Sequence, residues 1–338
     1  MRAYVITPLL LLFTASLAFG APAGSPRAQV IVFSNSNPHI TVIDGQTHQV
    51  VRTANVPQLG VWGWNDDNNY FDGTNLWLTR RNPDTNAAEV VLLNVDTLTV
   101  SARIPIGQET GGIFSGKASR AGKVLFAKFG SGELVAIDVN THATRTVKLP
   151  MDGGVACDVE VAIGFDKKER AYIPTMAGNT VVVVDPASLE VLQVVRFTEG
   201  TRPWMATATP DGRRLWVQEQ TGNTNAIMNS MTLDVVARTA TGPAPDAGSF
   251  SPDGRVHFTG HFTNNLVVAH ETDTFREIWR VPVGANTRIL GVHPAGTFVY
   301  AIMTSEGAVG VLEASTGRVV TRVALGTNPT GIFVRTLK

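Results

Sequence analysis

Ala171-Tyr-Ile-Pro-Thr-Met-Ala-Gly-Asn-Thr-Val-Val-Val-Val-Asp185, then Pro-Ala-Ser188 and an apolar run ending near Phe197, is the clearest copy of a unit that recurs along most of the chain. Arg202-Pro203 and Ala208-Thr-Pro210-Asp211-Gly212-Arg-Arg-Leu215-Trp216-Val217 follow, and there the cycle restarts. The unit is 42 to 47 residues long. A period of about 45 residues holding four short strands marks a β-propeller blade. Such a ring is a scaffold whose chemistry sits in its loops, so function has to be argued from particular residues.

Two markers allow the units to be counted. The first is an acidic residue followed three positions later by Thr or Ser, expected to close the hairpin between the two outer strands. The copies are Asp44/Thr47, Asp96/Thr99, Asp138/Thr141, Asp185/Ser188, Glu271/Thr274 and Glu313/Thr316, with Asn229/Thr232 in the remaining unit. A short carboxylate or amide at a strand end accepts backbone N–H bonds two or three residues on. The second marker is a turn of the Pro-Asp-Gly kind between the inner strands: Pro210-Asp211-Gly212, Pro252-Asp253-Gly254 and Pro294-Ala295-Gly296.

Seven outer turns predict an all-β, seven-bladed propeller of four-stranded blades over residues 27–338. The first copy, from Gln29, lacks its innermost strand, and Thr330-Gly-Ile-Phe-Val-Arg335 supplies it. A C-terminal strand completing the N-terminal blade closes the ring and removes open sheet edges. The second unit, Gln58 to Gly107, is longer; its stretch Val61-Trp62-Gly63-Trp64 through Tyr70 is polar and aromatic where other units carry a plain inner strand. A specialised loop and a one-off irregular turn are both open there.

Bulk properties bound the rest. The 338 residues carry 28 Lys and Arg against 28 Asp and Glu, with no basic run. A nucleic-acid partner needs a basic face, so none is expected. Arg2 precedes an apolar stretch from Ala3 to Phe19, and Ala18-Phe19-Gly20 offers small residues before Ala21. Residues 1–20 read as a secretory signal peptide and 21–26 as a flexible leader. No later stretch is apolar for long enough to span a bilayer. The expected location is periplasmic or extracellular, and the absence of an Asn-X-Ser/Thr sequon fits a periplasm. Cys157 is the one cysteine, so packing between blades replaces disulfides.

The strands Tyr172-Ile-Pro-Thr175, Trp216-Val-Gln-Glu219 and Tyr300-Ala-Ile-Met303, with the turns Thr209-Pro-Asp-Gly212 and Ser251-Pro-Asp-Gly254, resemble the YVTN-repeat propellers. The resemblance covers nearly the whole mature chain and implies the fold far more than an activity. Relatives of that kind include the haem-binding propeller of periplasmic nitrite reductases and surface-layer propellers. Lactonase-like propellers and a subunit of quinone-dependent amine dehydrogenases stand further off.

Aligning blades on their turns gives one position at the channel mouth: Glu160, Trp204, Asp246, Arg288 and Thr330, spaced 44, 42, 42 and 42 residues apart. Arg202, His261, Trp62 and Trp64 are expected nearby, with Asp158 and Glu109. Arg288 is suited to bidentate capture of a carboxylate, and Glu160 with Asp246 to an acid–base pair. Equally, polar side chains cost little in a wet channel, and Arg288 opposite an acid is simple neutralisation. His257 and His261 lie four apart in a segment that reads as a strand, ~13 Å and too far for one ion; His261 is expected in a loop on the functional face, as the best single ligand candidate. His257 is expected at the strand-tyrosine place and His293 at the opposite turn, both structural. No metal site is expected, and the cofactor question stays open. Glu160, Asp246 and Asn179 or Asn264 are the set a calcium ion would need.

No nucleophile elbow, phosphate loop or haem-attachment motif occurs. The first reading is therefore an exported, non-catalytic propeller binding a partner protein or small ligand at its loop face or central funnel. The alternatives are a redox-associated propeller, carrying a d-type haem or serving a quinone enzyme, and a calcium-dependent lactonase-like hydrolase or lyase.

Overall fold

The computed structural model describes residues 24–337, apart from 35–36, 61–69, 83, 86, 108–115, 130, 151–157 and 165. The expected signal peptide, Trp62, Trp64, Glu109 and Cys157 lie outside the described residues. From the leader, Pro26 presents its carbonyl to the Gln46 side-chain amide at 2.8 Å.

Among the described residues the strands form six four-stranded sheets and one three-stranded sheet, all with antiparallel neighbours. These are the seven blades of a propeller. Blade 1 runs, from the axis outward, Pro329–Thr336, Ala28–Ser34, His39–Asp44 and Val50–Asn55. Its innermost strand is the end of the chain: Phe333 pairs with Ile31 and Val334 with Val30, closing the ring as expected. Blade 2 has Asn75–Arg81, Ala88–Asn94 and Thr99–Gly107, with a single bridge between Phe71 and Leu76 at its inner position.

The outer turns explain the repeat. In every blade the residue four after the turn's acceptor residue donates its backbone N–H to that residue's carbonyl, as in His48 to Asp44, Leu189 to Asp185 and Gly317 to Glu313. That residue has positive φ in all seven: His48, Leu98, His142, Leu189, Leu233, Phe275 and Gly317. Left-handed backbone costs a non-glycine residue roughly 1–2 kcal/mol, here set against burial of His48, Leu98, Leu189 and Leu233. Gly317 is the exception because a Cβ there would lie 2.7 Å from Trp279, whose indole fills that space. In blade 2 the turn acceptor is Asn94, bonded by Asp96 N and Thr97 N, and not the Asp96/Thr99 pair expected from spacing. The amide serves as well as a carboxylate, so the acidic pattern pointed two residues too far.

The blades meet through apolar seams. Six buried clusters fill the contacts between successive blades, for example Ile31, Phe33, Leu76 and Leu78 between blades 1 and 2. The seam between blades 5 and 6 differs: Trp216 stacks on His257 at 4.5 Å, with Phe250, Phe275 and His270 around them. Trp77 and Trp216 are core, as read from sequence. The strand-tyrosine place in blade 6 belongs to Phe258, which pairs with Ala269 as Trp216 does with Ile227 and Tyr300 with Val311. His257 sits one residue earlier.

Candidate functional site

Loops leading into the innermost strands share one face with loops leaving the second strands, and a repeated backbone device shapes that face. Arg202, Ala244 and Asn286 have φ of 53°, 53° and 55°. Each precedes an inner strand (Pro203–Ala208, Pro245–Phe250, Thr287–Val292) whose pairing is interrupted by a bulge after its first residue. The carbonyls of Arg202 and Ala244 accept Gln220 N and Phe262 N at 3.0 and 2.9 Å, tying each lead-in to the neighbouring loop. Bulges bend a strand and re-aim side chains. Here they bring Trp204, Asp246 and Arg288 together from three successive blades.

Asp246 is fully buried and stands between the other two. The Trp204 indole N–H donates to Oδ1, and Arg288 Nε donates to Oδ2. The Arg288 guanidinium lies over the Phe262 ring at 4.3 Å, and Phe262 is 38% exposed. Phe129 meets the Trp204 indole edge-on at 6.1 Å. The result is a rigid, charge-balanced layer in which both carboxylate oxygens are engaged, faced by an aromatic ring open to solvent. Phe262 and Phe129 escaped the sequence reading. The available signal was an aromatic residue straight after the second strand, where blades 5 and 7 carry Gln220 and Thr304.

Glu160 belongs elsewhere. It pairs with Tyr172, whereas the matching Trp216 pairs with Thr207 and Tyr300 with Gly291. Glu160 thus shares a layer with Thr207, Ser249 and Gly291, three residues further along the channel than Trp204. These residues line a cavity of about 270 Å³ toward the opposite face, with Pro252 and Val334. Its Oε2 meets Lys117 Nζ at 2.9 Å and its Oε1 accepts Ala208 N at 3.3 Å. The 44-residue spacing suggested a common register, but the hairpin after Glu160 is longer, with eleven residues before Tyr172 where blade 5 has eight between Thr207 and Trp216. Glu160 and Asp246 therefore do not face one another as an acid–base pair. Asp158 Oδ2 accepts Ala206 N at 3.3 Å.

The remaining expected residues are spread out. Arg202 is half-buried and turns back to Met176 Sδ at 2.6 Å. His261 ends the strand Val256–His261 and lies in no loop; it is fully buried, with Nδ1 2.9 Å from the Leu266 carbonyl. Burial pushes its imidazole below the usual range, against the Leu266 and Thr241 carbonyls that favour protonation. Thr330 is buried on the blade 1 inner strand. Asn179 Oδ1 accepts Arg202 N at 3.0 Å, and Asn264 donates to the Pro243 carbonyl at 2.9 Å, so both amides hold loops. Among the described residues no three His, Cys, Asp or Glu side chains converge as a metal site would need, and no helix is long and apolar enough to cross a membrane.

No protein family model matches the sequence, and no curated protein matches it. Solved structures do share the fold. The periplasmic gluconolactonase of Pseudomonas aeruginosa is 14% identical, with a TM-score of 0.77 over 92% of this chain and 100% of that one. A candidate 6-phosphogluconolactonase from Bacteroides fragilis is 12% identical, with a TM-score of 0.72 over 93% and 99%. The dihydro-heme d1 dehydrogenase NirN is 13% identical, with a TM-score of 0.61 over 88% of this chain and 63% of that one.

Proposed function

We propose that this propeller is exported and captures a small ligand at its loop-face mouth, without transforming it. The observation that carries the reading is the Trp204–Asp246–Arg288 layer beneath the exposed Phe262 ring. Asp246 spends both oxygens on fixing its neighbours, which suits a preorganised floor and handicaps a proton shuttle. An aromatic face beside a guanidinium favours a flat or carboxylate-bearing molecule. Location in a periplasm draws support from the Arg2–Phe19 stretch and from the periplasmic gluconolactonase of the same fold. Calorimetric titration with gluconate, gluconolactone and haem tests the reading. Phe262→Ala should weaken whichever of these binds by roughly tenfold while leaving the unfolding midpoint in place. Equal affinity in the variant would remove the mouth from consideration.

A second reading, lactone hydrolysis, is favoured by the two lactonase-type structures, which match this chain over nearly their full length. Acid release from gluconolactone, followed with a pH indicator, decides it. Turnover that Asp246→Asn abolishes would replace capture by catalysis. The redox-associated alternative has NirN as its structural parallel; a Soret band in protein purified from its own host would establish it.

A further inference from the structure

Arg80 is the largest buried charge that the mouth does not use. It sits on the strand Asn75–Arg81, on the side shared by Leu76 and Leu78, which pack into the seam between blades 1 and 2. Its relative exposure is 1%. Nη1 donates to the carbonyl of Thr79 at 3.2 Å, which fixes the plane of the guanidinium. Among the described residues, Nε and Nη2 have no hydrogen-bond partner. Those two nitrogens form one edge of the guanidinium, the edge that grips a carboxylate or phosphate with two parallel N–H bonds. Glu89 lies opposite Arg80 in the ladder, but its oxygens are taken by Arg103 and by Asn82. Burial draws Arg80 down to about 10. A buried guanidinium left uncompensated is strongly unfavourable, and arginine does not escape by shedding its proton.

We propose that the seam between blades 1 and 2 holds an oxyanion, a carboxylate or phosphate group, on the Nε–Nη2 edge of Arg80. The site is separate from the mouth layer and does not depend on the function assigned to that layer. Because the guanidinium is enclosed, the anion enters when the seam opens, and exchange is slow.

The test is thermal unfolding of the full chain after long equilibration in acetate, in inorganic phosphate and in chloride at matched ionic strength. Acetate or phosphate should raise the midpoint by roughly 3 °C over chloride, and whichever does so identifies the group. Arg80→Met removes the uncompensated charge, so in chloride its midpoint should equal or exceed that of the wild type, while the oxyanion increment disappears. Arg80→Lys keeps the charge without the two-pronged edge and should retain less than half of the increment. The proposal fails if neither oxyanion outperforms chloride in the wild type. It fails equally if either variant keeps the full increment; where Arg80→Met does not fold, the wild-type and Arg80→Lys results decide.

Discussion

The two ends of the channel are built on opposite principles. At the loop-face end, successive blades place unlike side chains at one position (Trp204, Asp246, Arg288), and the equally long connections that leave their second strands, 220–223, 262–265 and 304–307, differ in composition. At the turn end the blades repeat themselves. Thr209 and Ser251 each bond the following aspartate, Asp211 and Asp253, at 2.6 Å, and Gly254 and Gly296 close on Pro210 and Pro252 of the preceding blade. Repetition serves the ring, because each turn must dock on its neighbour. Variation at the same depth in every blade serves something other than closure. The contrast is what makes the mouth the candidate site, and it can be attacked from both sides.

The largest effect belongs to the mouth. Asp246→Ala strands a buried Arg288 and should cost about 3–5 kcal/mol of unfolding free energy, read from urea denaturation. Asp246→Leu combined with Arg288→Met should recover most of that loss, since a well-packed apolar pair avoids the desolvation penalty. At the turn end Glu160→Gln should cost less, roughly 1–2 kcal/mol, because the amide still accepts from Ala208 N and from Lys117, which keeps partial access to solvent. Equal losses would erase the distinction between the two ends.

Next come the turn glycines. Gly212 has φ +69°, and a Cβ there would lie 1.8 Å from the Ile163 carbonyl of blade 4. Gly212→Ala should lose the ~1–3 kcal/mol of left-handed strain and, beyond it, the cost of separating two blades. Gly73 in blade 2 has φ +98° with nothing within 4 Å, so Gly73→Ala should show the dihedral cost alone. If the two alanine variants unfold at the same denaturant concentration, close turn-to-blade docking is not what holds the ring.

Acid should separate the ends by pH. His261 near the mouth, and His257 and His270 in the blade 5/6 seam, are all held below 6.5, chiefly by burial. Glu277 and the Ala240 carbonyl pull His270 the other way, as Asp246 does His261, while Arg280 adds to the lowering of both. Below pH 6.5 the unfolded chain binds protons that these folded imidazoles refuse. Stability therefore falls on acidification, by up to about 1.4 kcal/mol per pH unit for each such histidine. The turn carboxylates act lower. Asp253 is held below 3.8, first by the Ser251 hydroxyl; for Asp211, burial pushes upward but the Thr209 hydroxyl and Arg213 N–H prevail. Their contribution is present above pH 3.8 and lost beneath it. Unfolding curves from pH 7.5 to 3 should show these two windows, with His257→Asn flattening only the upper one.

The ring could be read from the sequence because its determinants are local. A turn residue and its acceptor lie within four positions, and a two-residue error in blade 2 changed no count. The end-strand closure was legible for the same reason, since an unfilled inner strand and a spare terminal one are visible as patterns. The mouth was legible only in part. Trp204, Asp246 and Arg288 fell together because blades 5, 6 and 7 keep a strict 42-residue step. Glu160 was misplaced because spacing alone does not say that blade 4's extra residues fall in the hairpin after Glu160. His261 was expected in a loop because the end of a strand and the start of a loop carry the same residue types. Arg80 was invisible, since nothing in Thr79-Arg80-Arg81 tells which arginine points into a seam.

The smallest effect tests the local argument itself. Asp44 Oδ1 accepts Gln46 N at 2.9 Å, Thr47 N at 2.8 Å and the Thr47 hydroxyl at 3.1 Å. Burial raises its carboxyl, yet these donors hold it below 3.8, so its stabilising share is complete above that value and lost as acid protonates it. Asp44→Ala removes three bonds at a solvated turn and should cost roughly 1 kcal/mol. Asp44→Asn should cost less than half of that, because Asn94 and Asn229 already do the same work in blades 2 and 5. An asparagine variant as weak as the alanine one would mean that charge, and not acceptor geometry, sets these turns. The equivalence of the seven blades at the turn end would then rest on packing alone.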